Sequence, residues 1–156
     1  IARQELQIAR HQTIGCQVPG TSGADTSGVA FELADYNDRI TVLLFWGHWC
    51  GPCRKGYPLY RSLVSDYPEN SFCFLGINSD KKLQTINEVI ANGEVTWRCW
   101  WDGDQIIHNQ WNVIGAPHTF ILDENGCVAF VDIRGEELSE AISVLMKSRE
   151  GRGTKR

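Results

Sequence analysis

The sequence predicts an α/β domain, a central mixed β-sheet with helices on both faces and a β-hairpin extension at its N-terminal side. Three observations carry this. Short apolar runs of strand length alternate with segments whose apolar residues recur at helical spacing, which sets parallel strands side by side with helices crossing between them. Near the C-terminal end, two extended runs flank Asp123-Glu124-Asn125-Gly126, a tight-turn sequence that joins antiparallel strands. The length, 156 residues, suits one domain with a sizeable core.

The elements follow in order. Residues 3–11, with Leu6, Ile8 and Ala9 among polar neighbours, read as a short helix ending an upstream segment. Residues 15–28 are loop and turn, and Asp25-Thr26-Ser27-Gly28 is a hairpin turn leading into a strand at 29–33. Residues 41–46 are a buried strand. Residues 53–67 are a helix with Tyr57, Tyr60, Leu63, Val64 and Tyr67 on one face, stopped by Pro68. Residues 71–77 are a second buried strand. A helix at 81–92 carries Leu83, Ile86, Val89 and Ile90 and closes at Gly93. An extended piece at 97–101 and a short helix at 106–111 precede the hairpin strands at 119–122 and 127–133. A final helix at 136–147 turns Leu138, Ala141, Ile142, Leu145 and Met146 inward. The organisation is an N-terminal segment at 1–13, one domain at 14–147 and a flexible basic tail at 148–156.

Composition narrows the function. The net charge is −4 and no long basic run exists, which argues against nucleic acid as a partner. Lys147, Arg149, Arg152, Lys155 and Arg156 are interleaved with Glu150, Gly151 and Gly153 and read as a solvated tail. Apolar runs are far shorter than a membrane span needs. The chain begins at Ile1 and its one Met is Met146, so it reads as a piece of a longer protein, and a missing export signal carries no information.

The chemistry is in Trp49-Cys50-Gly51-Pro52-Cys53, directly after the apolar run that ends in Phe45-Trp46. A strand delivers two thiols to the start of a helix. Free amide N–H groups and the helix dipole at Cys50 favour a thiolate, which is the nucleophile. Pro52 fits the first turn, where its missing N–H costs nothing. Cys53, one turn on and more buried, can resolve the mixed disulfide that Cys50 forms. A structural zinc site would need a second pair of ligands, whereas Cys73, Cys99 and Cys127 stand singly and His11, His48, His108 and His118 form no HxxxH. Haem attachment would need His after the second Cys, where Arg54 stands.

The stretch Phe45-Trp46-Gly47-His48-Trp49-Cys50-Gly51-Pro52-Cys53-Arg54-Lys55 resembles the active site of thioredoxin-fold proteins. The Phe31-Glu32-Leu33-Ala34-Asp35-Tyr36 element, Gly76-Ile77-Asn78-Ser79-Asp80 and the stretch from Trp111 through Gly115-Ala116-Pro117-His118-Thr119 to Asp123 resemble the TlpA/ResA-like redoxins near the AhpC/TSA group. The resemblance implies a thioredoxin-like fold and a thiol–disulfide oxidoreductase with Cys50 and Cys53 as the reacting pair. Trp49, Gly51, Pro52 and Pro117 would support the site. It implies a cis Ala116–Pro117 bond facing Cys50, with Ala116, Pro117 and Trp49 contacting substrate and the proline keeping metal off the thiols. It also implies protein thiol or disulfide substrates, an upstream electron donor, no cofactor beyond the Cys50–Cys53 disulfide, a monomeric domain, and an extracytoplasmic bacterial setting, periplasmic or membrane-tethered. Gly51-Pro52 matches the reducing members.

Two departures from the pattern matter. The TlpA-like pattern has Glu where this chain has Gly56, and thioredoxin has Asp where this chain has Leu44. With both carboxylates missing, water or a histidine must carry the proton of Cys53, and His48 and His118 are the nearest candidates. A peroxidase of the peroxiredoxin type shares the fold, but His48-Trp49-Cys50 does not match its usual Thr or Ser before the reactive Cys. A redoxin domain that only binds soft metal or docks a partner is the other alternative. Cys73 reads as a small buried hydrophobe and Cys16 as exposed. Cys16, Cys73, Cys99 and Cys127 allow three pairings, among which the sequence does not choose. Trp46 and Trp49 flank the thiols, while Trp97, Trp100, Trp101 and Trp111 read as packing.

Overall fold

Asp25 starts the architecture by turning the chain back on itself, its Oδ1 accepting the N–H groups of Ser27 and Val29 at 2.9 Å each. This joins β1 (Ser22–Ala24) to β2 (Ala30–Glu32) as an antiparallel ribbon. A 3-10 turn over Leu33–Tyr36 then leads into β3 (Ile40–Trp46), seven residues that are all buried. The computed structural model describes residues 16–154, so the short helix expected at 3–11 lies outside the described residues. The chain continues through α1 (Gly51–Asp66), β4 (Phe72–Asn78), α2 (Leu83–Ala91), β5 (Arg98–Trp101), α3 (Ile106–Gln110), β6 (His118–Leu122), β7 (Val128–Val131) and α4 (Glu136–Thr154).

β3 has no charged residue because it is central. The five-stranded sheet has the order β5-β4-β3-β6-β7, with β3 parallel to β4 and antiparallel to β6. Strand alternation splits its side chains between two cores. Val42, Leu44 and Trp46 face α1, α2 and α4, packing with Tyr57, Tyr60, Ile86, Val89, Leu138 and Ile142. Leu43 and Phe45 face the other way, against Trp100, Trp111 and Phe120, under the β1–β2 ribbon and α3. The ribbon is pinned there by Phe31, stacked on Trp100 at 4.2 Å, and by Arg98, which forms an ion pair with Asp25 at 2.8 Å.

Three features differ from expectation. β1 lies within residues 15–28, read from the sequence as loop and turn, because pairing with β2 makes Ser22–Ala24 a strand. α4 runs to Thr154, so residues 148–154 continue the helix instead of forming a tail. The packed face of Leu138, Ala141, Ile142 and Met146 starts the helix, and Arg149 extends its anchoring by donating to the Asp38 carbonyl. Trp101 is half exposed, with its Nε1–H donated to the Asp80 carbonyl at 2.7 Å, so it is more than core packing. Among the described residues, no helix is long and apolar enough to cross a membrane.

A disulfide joins Cys16 to Cys127, tying the segment before β1 to the turn between β6 and β7 across 111 residues of sequence. Closing so long a loop restricts the unfolded chain strongly. Cys16→Ser is expected to lower unfolding stability by roughly 2–5 kcal/mol under oxidising conditions. Chemical denaturation with and without reductant checks this; a variant as stable as the oxidised parent would contradict it.

Candidate active site

Trp46 ends β3, and the chain turns through Gly47-His48-Trp49 into the N-cap of α1. The cap residue is Cys50, in extended backbone conformation, whose Sγ accepts the N–H of Cys53 at 3.3 Å. The thiol in turn donates to the Ala116 carbonyl at 3.5 Å. A sulfur atom here does what a Ser or Asp oxygen does at an ordinary cap. Pro52 sits in the first turn, where no amide is needed. Cys50 and Cys53 are both buried, Cys53 completely, and both carry free thiols.

The end of β4 holds the loop in place. Asp80, buried, accepts the His48 N–H on both carboxylate oxygens, at 2.9 and 3.2 Å, and the Asn78 amide at 2.8 Å. Ser79 donates its backbone N–H to the Trp46 carbonyl at 2.9 Å and accepts the Trp49 indole N–H at 3.2 Å. Trp49 lies directly over Gly47, where any Cβ would overlap its ring, and remains 60% exposed. Ile114, 85% exposed, stands on the opposing segment two residues before Ala116. Exposed apolar side chains thus border Cys50 on both segments that meet at its sulfur.

Beneath the thiols no carboxylate stands at 44 or 56, as the sequence shows, and phenols pack there. Leu44 points into the α1-side core. At Gly56, a Cβ would fall 2.6 Å from the Oη of Tyr60, so the ring one turn on occupies the space of any side chain there. Burial, then the hydrogen bond with Cys50, pushes the Cys53 thiol up to about 12. Burial, with the charge of Cys53 adding to it, pushes Tyr60 up to about 12 and raises Tyr57 as well. The Tyr57 hydroxyl meets Nδ1 of His48 at 3.0 Å, the two rings stacked at 17°.

The Ala116–Pro117 bond is cis. His118 follows it on β6, but alternation turns it away from α1, toward Phe120 at 5.0 Å and toward Asp132, whose carboxylate lies 3.5 Å from its Nδ1. The structure therefore brings His48 onto the Tyr57 hydroxyl and sets His118 on the other face of the sheet. Arg134 donates to the Pro117 carbonyl at 3.1 Å, and its charge favours the ionised form of Cys53. Among the described residues, no three His, Cys, Asp or Glu side chains are grouped to hold a metal ion.

Comparison with known proteins agrees with this geometry. The sequence pattern of the AhpC/TSA family matches residues 14–131. The chain belongs to the AhpC/TSA family. Among curated relatives of this AhpC/TSA-family chain is the thiol–disulfide oxidoreductase ResA of Bacillus thuringiensis subsp. konkukian, 27% identical over 134 residues, covering 86% of this chain and 77% of that one. A DsbF homologue from Corynebacterium diphtheriae has a solved structure with TM-score 0.71 and 27% identity, covering 82% of this chain and 85% of its own. The thioredoxin domain of a thiol–disulfide oxidoreductase from Bacteroides vulgatus shares the fold with TM-score 0.71 at 21% identity, over 81% of this chain and 92% of that one. Within the AhpC/TSA family the chain is a TlpA/ResA-like redoxin, a thiol–disulfide oxidoreductase by class.

Sequence reading of this AhpC/TSA-family chain missed the roles of Tyr57, Tyr60, Asp80 and Arg134. Helical spacing carried a signal for the first two, because Tyr57 lies four residues from Cys53 and Tyr60 four from Gly56. Nothing local marks Arg134.

Two outcomes are expected. Gly56→Ala, which in an open helix would stabilise by about 1 kcal/mol, should here destabilise by about 1–3 kcal/mol because Tyr60 is in the way. Thermal or denaturant unfolding reads the sign. In the reduced native protein, alkylation near pH 8 should modify Cys50 ahead of Cys53, Cys73 and Cys99, whose thiols burial pushes up to about 12. Peptide mapping that finds Cys53 modified first would contradict this order.

Proposed function

We propose that this protein reduces disulfides in other proteins outside the cytoplasm, through Cys50 as nucleophile and Cys53 as resolving thiol. The observation that carries the reading is the placement of the Cys50 sulfur at the N-cap of α1, between the Cys53 amide and the carbonyl before Pro117. A substrate disulfide meeting Cys50 there finds the exposed Trp49 and Ile114 side chains and the half-buried Ala116 before the cis bond. Cys50 attacks one sulfur of the substrate, a mixed disulfide forms and one substrate thiol leaves. Cys53 then attacks Cys50, forming the Cys50–Cys53 disulfide and releasing the second substrate thiol. A dithiol donor must return the two electrons, and no cofactor beyond the cysteine pair enters.

Two features support the reducing direction. Gly51-Pro52 matches reducing thioredoxins, and burial pushes the Cys53 thiol up to about 12, so at that sulfur the reduced form gains nothing from ionisation. Strong oxidants of this chemistry owe their potential to a stabilised reduced form. The Cys16–Cys127 disulfide supports a location outside the cytoplasm, where such bonds persist. A peroxidase reading has less support, because two thiols one helical turn apart suit exchange between disulfides.

The test is the reduction potential of the Cys50–Cys53 couple, from equilibration with a dithiol buffer. A value of roughly −270 to −230 mV is expected, and one near about −120 mV would mark an oxidant and overturn the direction. Hydrogen peroxide consumed by the reduced protein faster than a protein disulfide would overturn the substrate class.

A further inference from the structure

Resolution by Cys53 requires its proton to leave a fully buried sulfur. The two places where a carboxylate could take it are closed, Leu44 by chemistry and Gly56 by the ring of Tyr60. Tyr57 lies one turn from Cys53 on the same buried face of α1, near enough for the charge of Cys53 to act on its phenol. Its hydroxyl is 3.0 Å from Nδ1 of His48, and His48 is half-buried, on a loop that reaches solvent.

We propose that Tyr57 and His48 form the path by which the proton of Cys53 leaves the site. The proposal rests on the exchange reading above and goes on to say how its second step is completed. As Cys53 attacks the mixed disulfide, its S–H proton passes to the Tyr57 oxygen while the Tyr57 O–H proton passes to Nδ1 of His48. The Cys50–Cys53 bond forms, the bond from Cys50 to the substrate sulfur breaks with its electron pair on the substrate thiolate, and His48 becomes a cation. His48 then gives a proton from Nε2 to water or to the leaving thiolate. The phenol stays neutral throughout, in keeping with the burial and the Cys53 charge that raise it. This exchange needs the Nε2–H tautomer in the resting state, with Nδ1 accepting from the hydroxyl.

The surroundings fix both rings. Trp46 and Trp97 pack edge-on against Tyr57 at 5.6 and 5.7 Å. Asp80 holds the His48 amide and Arg54 of α1 donates to its carbonyl. The charged groups that act on Tyr57 are Cys53, Asp80, Glu94 just beyond α2, and Arg54. Tyr60 has no such outlet among the described hydrogen bonds, and His118 lies on the far face of the sheet, so Tyr57 is the phenol of α1 whose hydroxyl meets an imidazole.

The experiment follows both chemical steps with dithiobis(nitrobenzoate), whose first coloured thiolate reports attack by Cys50 and whose second reports attack by Cys53. Tyr57→Phe and His48→Gln are each expected to slow the second release relative to the first by on the order of 10²-fold at pH 7, the lower end of general acid–base contributions. Near-ultraviolet circular dichroism of the same sample, together with Cys73 and Cys99 remaining unreactive until denaturant is added, shows that the variant is folded. In His48→Ala, added imidazole should restore the second release, which a purely structural role would not allow. Second releases within twofold of the parent in both variants from pH 6 to 8 would overturn the path. A parent protein that gives the first release and never the second would overturn the exchange reading itself, and the proposal with it.

Discussion

The sulfur of Cys50 rests between the Cys53 amide at 3.3 Å and the Ala116 carbonyl at 3.5 Å, and most of the fold maintains that meeting. The amide belongs to the first turn of α1, and the carbonyl to the segment that leads into β6. β3 makes the two coincide, because it delivers the chain to α1 and pairs with β6 over Thr41↔Leu122 to Phe45↔His118. A slip of register between β3 and β6 would carry Ala116 away from the helix and turn each side chain of the strand to the other face. The absence of charge in β3 is the counterpart of its central place, since both of its faces are covered.

The interior below the thiols is unusual in what it lacks. No carboxylate stands at 44 or 56, and the space is filled by Leu44, Tyr57 and Tyr60 with Trp46 and Trp97 around them. Burial in an apolar, aromatic floor pushes the Cys53 thiol up to about 12, which suits the resolving role proposed for it. In the proposed exchange the same burial puts the demand on proton transfer, and hydroxyl groups on neutral phenols can serve it without placing a charge in the core.

The far face of the sheet steadies the segment before Pro117. Asp102 accepts the N–H groups of Ile107 and His108 at 3.0 and 2.9 Å and meets Nδ1 of His108 at 2.7 Å. Burial works to raise the Asp102 carboxyl, but these bonds outweigh it and hold the group below its ordinary value. The carbonyl of His108 then accepts the N–H of Val113, which positions the chain that reaches Ala116. The Cys16–Cys127 bridge and the Arg98–Asp25 pair close the opposite end and the ribbon edge, so the segments around the dithiol are borne by a frame fastened on both sides.

Local patterns in the sequence determined much of this. Strand-length apolar runs, helical spacing in α1 and α4, the Asn125-Gly126 turn and the Cys50-Gly51-Pro52-Cys53 motif each depend on neighbours within one or two turns of chain, and each was legible. The length of α4 was not, because Gly151 and Gly153 disfavour helix by themselves and only the anchored turns before them carry it on. The pairing of Cys16 with Cys127 was likewise closed to reading, since four cysteines admit three pairings and only the packing of the ribbon against the β6–β7 turn selects one. Tertiary structure also separated two histidines that looked equivalent. His48 and His118 each sit within two residues of a motif, but strand alternation sends His118 to Asp132, while the loop held by Asp80 brings His48 onto Tyr57. Sequence determines which groups a site can use; the contact between residues distant in the chain decides which of them meet, because hydrogen bonds form over about 3 Å whatever the separation along the backbone.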